Sequence, residues 1–146
     1  MTALHLPDLG VLWTAPVSGP SDITACGANL CVTGTDGVTA FHRDSGSIIW
    51  SASELESLQE GLVVRKNRQT VLLDPDTGWV QSELGRALPA GGLIVRVSRD
   101  GVLVFDRSTG ELQGRLSVVD PLWCAREARY LTCQTNEGTL MIWRLT

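Results

Sequence analysis

An internal repeat of about 32 residues constrains the fold of this 146-residue chain more than any other feature. In each copy an apolar anchor residue stands seven positions before the exit of a polar turn. The anchors are Leu30, Leu62, Ile94 and Leu131, spaced by 32, 32 and 37 residues. A period in this range is typical of architectures built from one repeated supersecondary unit.

Each anchor leads into a predicted β-hairpin. The four polar turns are residues 34–37, 66–69, 98–101 and 135–138. They contain Asn, Asp and Gly, which supply the backbone conformations that a hairpin turn requires. A short β-branched or apolar run follows each turn, at 38–41, 71–73, 102–105 and 140–143, and such runs are typical of buried strands.

A second turn follows in three copies and completes a four-stranded unit. The three turns are Asp44-Ser45-Gly46, Asp76-Thr77-Gly78 and Ser108-Thr109-Gly110. Segments before the anchors, at 23–25, 55–58 and 122–124, supply short innermost strands. A repeated four-stranded meander is the blade of a β-propeller. We therefore predict an all-β propeller of about four blades in one domain, 1–146, with repeats at about 18–50, 51–82, 83–116 and 117–146.

The two ends of the sequence predict how the ring closes. The last copy stops at Thr146, where its second turn should begin, so it lacks an outer strand. Residues 7–10 match that turn, and Val11, Leu12 and Trp13 match the strand that follows it. We expect residues 1–17 to close the ring, because a propeller that is not closed leaves unpaired sheet edges. Residues 2–6 then form one spare strand.

The outer turns resemble a known family motif. They fit in part the pattern A-x-D-x-x-T-G-x-x-x-W of quinoprotein propellers, which are the pyrroloquinoline-quinone type. The matching residues are Ala40, Ser45, Gly46 and Trp50 in the first copy, Asp74, Thr77 and Gly78 in the second, and Asp106, Thr109 and Gly110 in the third. His42 replaces the acid, and Ser82 and Gly114 stand where Trp is expected. Residues 139–145 resemble the close of a WD repeat, so the resemblance is to the wider quinoprotein and WD-like superfamily.

The number of copies departs from that resemblance, because such propellers usually have seven or eight blades. Three arrangements follow: a four-bladed ring, two chains that share an eight-bladed ring, or a half-propeller completed by a different protein. We favour the second slightly, since closed dimers are the commonest oligomers and a spare strand suits exchange between chains.

No group of residues in the sequence predicts a reaction or a cofactor. The resemblance covers only hairpin turns, and a shared fold does not transfer a quinone site. His5 and His42 lie at predicted strand ends, where a structural role is expected. The hairpin turns and the two histidines therefore predict that the chain is not an enzyme and has no cofactor.

The four cysteines are expected to be reduced, buried core residues. They are Cys26, Cys31, Cys124 and Cys133. Two disulfides would need an oxidising compartment, and residues 1–12 do not resemble a secretion signal. A four-thiolate zinc site is disfavoured, because Cys31 lies one residue after its anchor and Cys133 lies two after, which places them on opposite sheet faces. We expect no metal and a cytoplasmic location.

Charge narrows the choice of partner. The chain has 16 acidic and 12 basic residues, a formal charge of −4, which argues against nucleic-acid binding. No apolar run approaches the roughly 20 residues of a membrane helix, so no membrane insertion is expected. Residues 1–64 contain seven acids and one base, so one flank is acidic.

Two sets of residues are candidates for contact with a partner protein. Trp13 and Trp50 are expected to pack between blades, whereas Trp79 follows Gly78 directly and is expected to be exposed. Arg65, Lys66 and Arg68 form a basic hairpin tip that could meet an acidic surface, such as that of a second copy.

These observations predict a non-catalytic scaffold or adaptor that binds a protein whose identity the sequence does not specify, and that forms a homodimer. Two alternatives remain open. One is a small-molecule sensor or enzyme that uses the ring axis. The other is a half-propeller that is unstable until a different chain completes it.

Overall fold

A computed structural model describes residues 1–6, 8–99, 101–117 and 120–145. These residues form strands and turns and no helix, which confirms the all-β prediction. The strands are β1 (Thr2–Leu4), β2 (Val11–Thr14), β3 (Asp22–Cys26), β4 (Asn29–Gly34), β5 (Gly37–Phe41), β6 (Ile48–Ala52), β7 (Leu55–Gln59), β8 (Leu62–Arg65), β9 (Thr70–Leu73), β10 (Val80–Ala90), β11 (Leu93–Ser98), β12 (Gly101–Asp106), β13 (Leu112–Leu116), β14 (Pro121–Glu127), β15 (Tyr130–Thr135) and β16 (Leu140–Arg144). None of the described residues forms a helix that could span a membrane.

The chain divides into two compact units. The first contains residues 1–67 and 71–83, and the second contains residues 68–70 and 84–146. The boundary between residues 83 and 84 falls within the eleven-residue strand β10. The predicted repeat boundary near residue 82 lies inside this strand, and the predicted single domain and repeat bounds stay predictions.

The first unit begins with a two-stranded hairpin and continues with a four-stranded sheet. Strands β1 and β2 pair antiparallel. Strands β3 to β6 form an antiparallel meander in sequence order, which we call the first blade. The second blade consists of β7, β8, β9 and residues 80–83 of β10. The predicted polar turns lie at the tips of the β4–β5 and β8–β9 hairpins.

The second unit contains a third blade and a fourth, shorter blade. The third blade consists of residues 86–90 of β10 with β11, β12 and β13. The fourth blade is the three-stranded sheet β14–β15–β16, which ends without an outer strand among the described residues.

Each blade has two faces because successive side chains of a strand point to opposite sides. In the first blade, Val32 and Phe41 lie on what we call the back face, which packs with Trp13 of the N-terminal hairpin. Cys31 and Ala40 lie on the opposite, front face, which packs on the second blade. The front face of the third blade packs in the same way on the back face of the fourth. Burial of both faces explains the continuous apolar runs in the sequence.

The structure contradicts the prediction of reduced cysteines. Cys26 is bonded to Cys31 and Cys124 to Cys133, with Cα–Cα distances of 5.8 and 4.1 Å. Cys124 and Cys133 are direct cross-strand partners on β14 and β15. The prediction was wrong because it inferred reduced thiols from the expected cellular compartment. It also compared cysteines of different blades, whereas each cysteine is bonded to one on the neighbouring strand of its own blade.

Candidate functional site

One six-residue turn recurs between the third and fourth strands of the blades. In the first blade the His42 N–H donates to the Ser47 carbonyl and the Gly46 N–H donates to the His42 carbonyl, both at 2.8 Å. The same pair of hydrogen bonds occurs in turns that start at His5, Asp74 and Asp106. We call these four segments, 5–10, 42–47, 74–79 and 106–111, the outer turns; Pro7 lies outside the described residues.

This pattern shifts the N-terminal alignment by one residue. The fifth turn residue is left-handed in every copy, and in the first turn that residue is Leu9, with φ 57°, rather than Gly10. Asp8 thus occupies the place of Thr77, and both side chains accept a hydrogen bond from the N–H two residues later. Trp13 and Trp50 therefore occupy equivalent positions, four residues after the left-handed residue.

Hydrogen bonds to carboxylates reinforce three of these turns. The N–H groups of Thr77 and Asp76 donate to Asp74 and lower its pKa. The Ser108 hydroxyl, followed by the Thr109 N–H, lowers the pKa of Asp106. The pKa of Asp8 is lowered by the Gly10 N–H and then by His5. Asp8 is exposed and Asp74 and Asp106 are partly exposed, and burial would raise a carboxyl pKa, so hydrogen bonding to the ionised form is the cause.

Two of the turns hold a tryptophan, as predicted. The Trp13 Nε1–H donates to the Arg43 carbonyl at 2.8 Å, and its ring lies against Gly46. The Trp50 Nε1–H donates to the Pro75 carbonyl at 3.0 Å, and its ring lies against Gly78. A side chain at either glycine would overlap the ring, which explains why these positions are glycine.

Trp79 differs from these packed tryptophans. It is the last residue of the outer turn of the second blade, and its side chain is 78% exposed. Its N–H donates to the Thr77 hydroxyl, and its carbonyl accepts from the Asp74 N–H. The expected exposure is confirmed, and a well-ordered turn presents the ring to solvent.

The basic residues lie at the other end of the second blade. Lys66 and Arg68 are exposed in the β8–β9 turn, which lies across the length of β9 from Trp79. A four-residue strand spans about 13 Å, so Trp79 and the basic tip are separate surfaces. Arg65 is half-buried and pairs with Glu83 at 3.5 Å. Arg68 adopts φ 61°, whereas in the other copies the glycine at the end of the turn has the positive φ and Gln69 stands at that position here.

The predicted closing strand is β2. Trp13 is buried, whereas Val11 and Leu12 are exposed, and β2 pairs with β1 along one edge. Closure of a ring by residues 11–13 stays a prediction.

Sequence reasoning missed an apolar surface on the front face of the fourth blade. Trp123, Leu140 and Ile142 lie on this face and are 54%, 59% and 63% exposed. The strand register places Trp123 and Leu140 on the same row of the sheet. Trp123 of β14 pairs with Gln134 of β15, and Gln134 pairs with Leu140 of β16. The sequence offered no signal for this face, because residues 140–143 form a continuous apolar run, which predicts a strand buried on both faces.

Basic side chains lie at one end of the same sheet. An open cavity of about 580 Å³ is lined by Arg126, Arg129 and Arg144, with Ala128 and Leu145. Among the described residues no carboxylate pairs with any of these arginines. In the described part of the chain no three His, Cys, Asp or Glu side chains come together as metal ligands.

Comparison with known proteins gives the fold alone. No family model and no curated protein matches the chain. Among solved structures it resembles the computationally designed Ika4 protein, with TM-score 0.60 and 15% identity over 90% of this chain and 94% of that one. It also resembles BamB from Moraxella catarrhalis, with TM-score 0.59 and 16% identity over 98% of this chain and 51% of that one.

A third similar structure is the Cps50 (Swd1) β-propeller domain of Myceliophteria thermophila, with TM-score 0.51 and 18% identity over 87% of this chain and 54% of that one. This chain therefore spans about half the length of BamB and of the Swd1 domain. A likeness to a β-propeller domain over most of the chain confirms the predicted fold.

Proposed function

We propose that this chain, a β-propeller of the quinoprotein and WD-like superfamily, is a non-catalytic scaffold that binds another protein through the outer turn of its second blade. The supporting observation is Trp79, 78% exposed on a turn fixed by its own hydrogen bonds. Large aromatic side chains on ordered supports dominate binding energy at protein interfaces, because they bury much apolar area and lose little entropy.

The basic tip gives the scaffold a second contact surface. Lys66 and Arg68 are exposed, and the neighbouring Arg65 pairs with Glu83. We propose that this tip attracts an acidic surface and raises the rate of association more than the final affinity. The proposal includes no cofactor, no nucleic acid and no membrane insertion.

Photo-crosslinking tests the main surface. A photoreactive phenylalanine derivative replaces Trp79, and in a matched control it replaces Glu111, which is also exposed and holds the same position in another outer turn. We expect a discrete crosslinked protein at position 79 and none at 111. Excess wild-type chain should compete for this product, and excess Trp79→Ala chain should not. Equal products at both positions, or equal competition, would contradict the proposal.

The cellular compartment of the chain is a proposal as well. The cytoplasm was inferred from the absence of a secretion signal, but two disulfides in a small chain favour an oxidising compartment. Thiol labelling of the protein taken from its host distinguishes the two, since four labelled cysteines would indicate a reducing compartment.

A further inference from the structure

We propose that the outer turn of the third blade, residues 106–111, binds a tryptophan side chain that another protein presents on an extended segment. In the first and second blades the equivalent turn holds a tryptophan of this chain. This inference concerns a different surface from Trp79, so either proposal can fail without the other.

The two occupied turns show how an outer turn binds an indole ring. The carbonyl of the second turn residue accepts a hydrogen bond from the ring: Arg43 accepts from Trp13 at 2.8 Å. In the next blade Pro75 accepts from Trp50 at 3.0 Å. The fifth turn residue is a glycine, and a Cβ added there would lie 2.5 or 2.6 Å from the nearest ring atom. An outer turn therefore recognises an indole through one acceptor and one surface without a side chain.

The third outer turn has the same backbone. The Asp106 N–H donates to the Glu111 carbonyl at 2.9 Å, and the Gly110 N–H donates to the Asp106 carbonyl at 2.8 Å. Gly110 has φ 73°, against 69° and 72° for the glycines of the two occupied turns. The turn thus offers the Arg107 carbonyl and the Gly110 surface in the arrangement that holds an indole in the other blades.

No described side chain lies against Gly110. A Cβ added there would meet no described atom within 4 Å, and Gly110 is exposed, whereas the glycines of the occupied turns are half-buried. Among the described residues none donates a hydrogen bond to the Arg107 carbonyl. The repeat position of Trp13 and Trp50, four residues after the left-handed residue, holds Ser82 in the second blade. The third outer turn therefore keeps the features that bind an indole although serine replaces one of the tryptophans.

Hydrogen bonds hold the third outer turn in this conformation. The Asp106 carboxylate accepts from the Ser108 N–H at 2.8 Å, from the Ser108 hydroxyl at 2.6 Å and from the Thr109 N–H at 3.0 Å. The Arg107 N–H donates at 3.0 Å to the Gly92 carbonyl in the turn between β10 and β11. A site that is ordered in advance loses little conformational entropy when a partner binds.

The occupied turns also indicate the chemistry of the partner. Trp13 lies in β2 and Trp50 lies in β6, so this chain presents each indole to an outer turn from a strand. Tryptophan combines a large apolar ring with one N–H donor, which match the Gly110 surface and the Arg107 carbonyl. Phenylalanine has no such donor. We therefore assign the turn to a tryptophan within an extended protein segment.

Amide chemical shifts of the full chain test this assignment. The probe is the acetylated and amidated peptide of residues 47–53, which carries Trp50 in its own strand sequence. We expect saturable shifts at residues 106–111 and none at 74–79, where the Trp50 ring of the chain already lies against Gly78. A peptide with 1-methyltryptophan, which lacks the donor, should bind with a Kd about threefold higher or more.

A second probe, N-acetyl-tryptophanamide, distinguishes a protein segment from a free indole compound. We expect it to bind more weakly than the peptide, because it lacks the flanking residues of the strand. Equal affinity of the two probes would overturn the assignment to a protein segment and indicate a small indole ligand.

Gly110→Ala tests the contact with the ring. An added Cβ should overlap a bound indole, as it would overlap Trp50 at position 78, and raise the Kd of the peptide about tenfold or more. The matched control is Gly138→Ala in the β15–β16 turn, where φ is 81° and an added Cβ also meets no described atom within 4 Å. This control should bind the peptide as the wild type does, and circular dichroism confirms that both variants are folded. An unchanged Kd for Gly110→Ala, or no shift at residues 106–111, would overturn the proposal.

Discussion

An outer-turn glycine lies in close contact with a tryptophan ring, and substituting that glycine tests the contact quantitatively. Gly78 and Gly110 hold the same position in two outer turns, with φ of 72° and 73°. An added Cβ would lie 2.6 Å from Cδ2 of Trp50 at position 78. At position 110 it would meet no described atom within 4 Å. The two alanine variants therefore share backbone strain and differ in packing.

The expected losses in unfolding free energy follow from the shared backbone strain and from the difference in packing. Holding an alanine in the left-handed region costs about 1–2 kcal/mol, and Gly110→Ala should cost no more than this. Gly78→Ala must also displace the Trp50 ring, and overpacking adds about 1–3 kcal/mol. The difference of about 2 kcal/mol corresponds to about 1 M in the urea midpoint at a slope of about 2 kcal/mol/M.

Urea unfolding followed by circular dichroism measures both variants. A second comparison places Gly78→Ala in a Trp50→Leu background, where the smaller side chain should make the alanine cost about the same as at position 110. This double-mutant cycle isolates the contact between the turn and the ring. Equal destabilisation by Gly78→Ala with and without Trp50 would refute the reasoning.

The remaining predictions concern the disulfides and the turn carboxylates. The bonded cysteines are separated by 5 and 9 residues, so loop closure predicts that reduction costs about 2 and about 3 kcal/mol, respectively. Urea midpoints with and without reductant measure this cost, and an unchanged midpoint would contradict it. The lowered pKa values of Asp74 and Asp106 mean that their stabilisation is full above the unfolded-state pKa of about 4 and is lost as pH falls through the folded-state pKa. Asp74→Asn and Asp106→Asn should therefore lower stability at pH 7 and flatten its decline in acid; variants that keep the full wild-type decline would argue against this role.

Local signals in the sequence were sufficient for the blades. The outer turns at 74–79 and 106–111 follow from Asp, Thr and Gly at fixed positions, since each of these residues makes a hydrogen bond or adopts a backbone angle within the turn itself. The turn at 5–10 was misaligned by one residue, because Leu9 and Asp8 replace the expected Gly and Thr. The hydrogen bonds within this turn, rather than its residue types, show which residues form it.

Features that depend on strand register could not be predicted in the same way. The disulfides require knowing that Cys124 lies opposite Cys133. The separation of Trp79 from Lys66 requires the direction of β9 between its two turns. The exposure around Leu140 depends on which described residues pack on this sheet, and the sequence repeat predicts burial instead, because the equivalent residues of other blades are buried.

Residue-by-residue oxidative footprinting of the five tryptophans, at low and high protein concentration, tests the arrangement of blades and the proposed surfaces together. We predict that Trp13 and Trp50 are protected at both concentrations and that Trp79 is labelled at both in the absence of a partner. Trp123, whose side chain is 54% exposed, should also be labelled. Labelling of Trp13 and Trp50 as fast as Trp79 would contradict the blade packing.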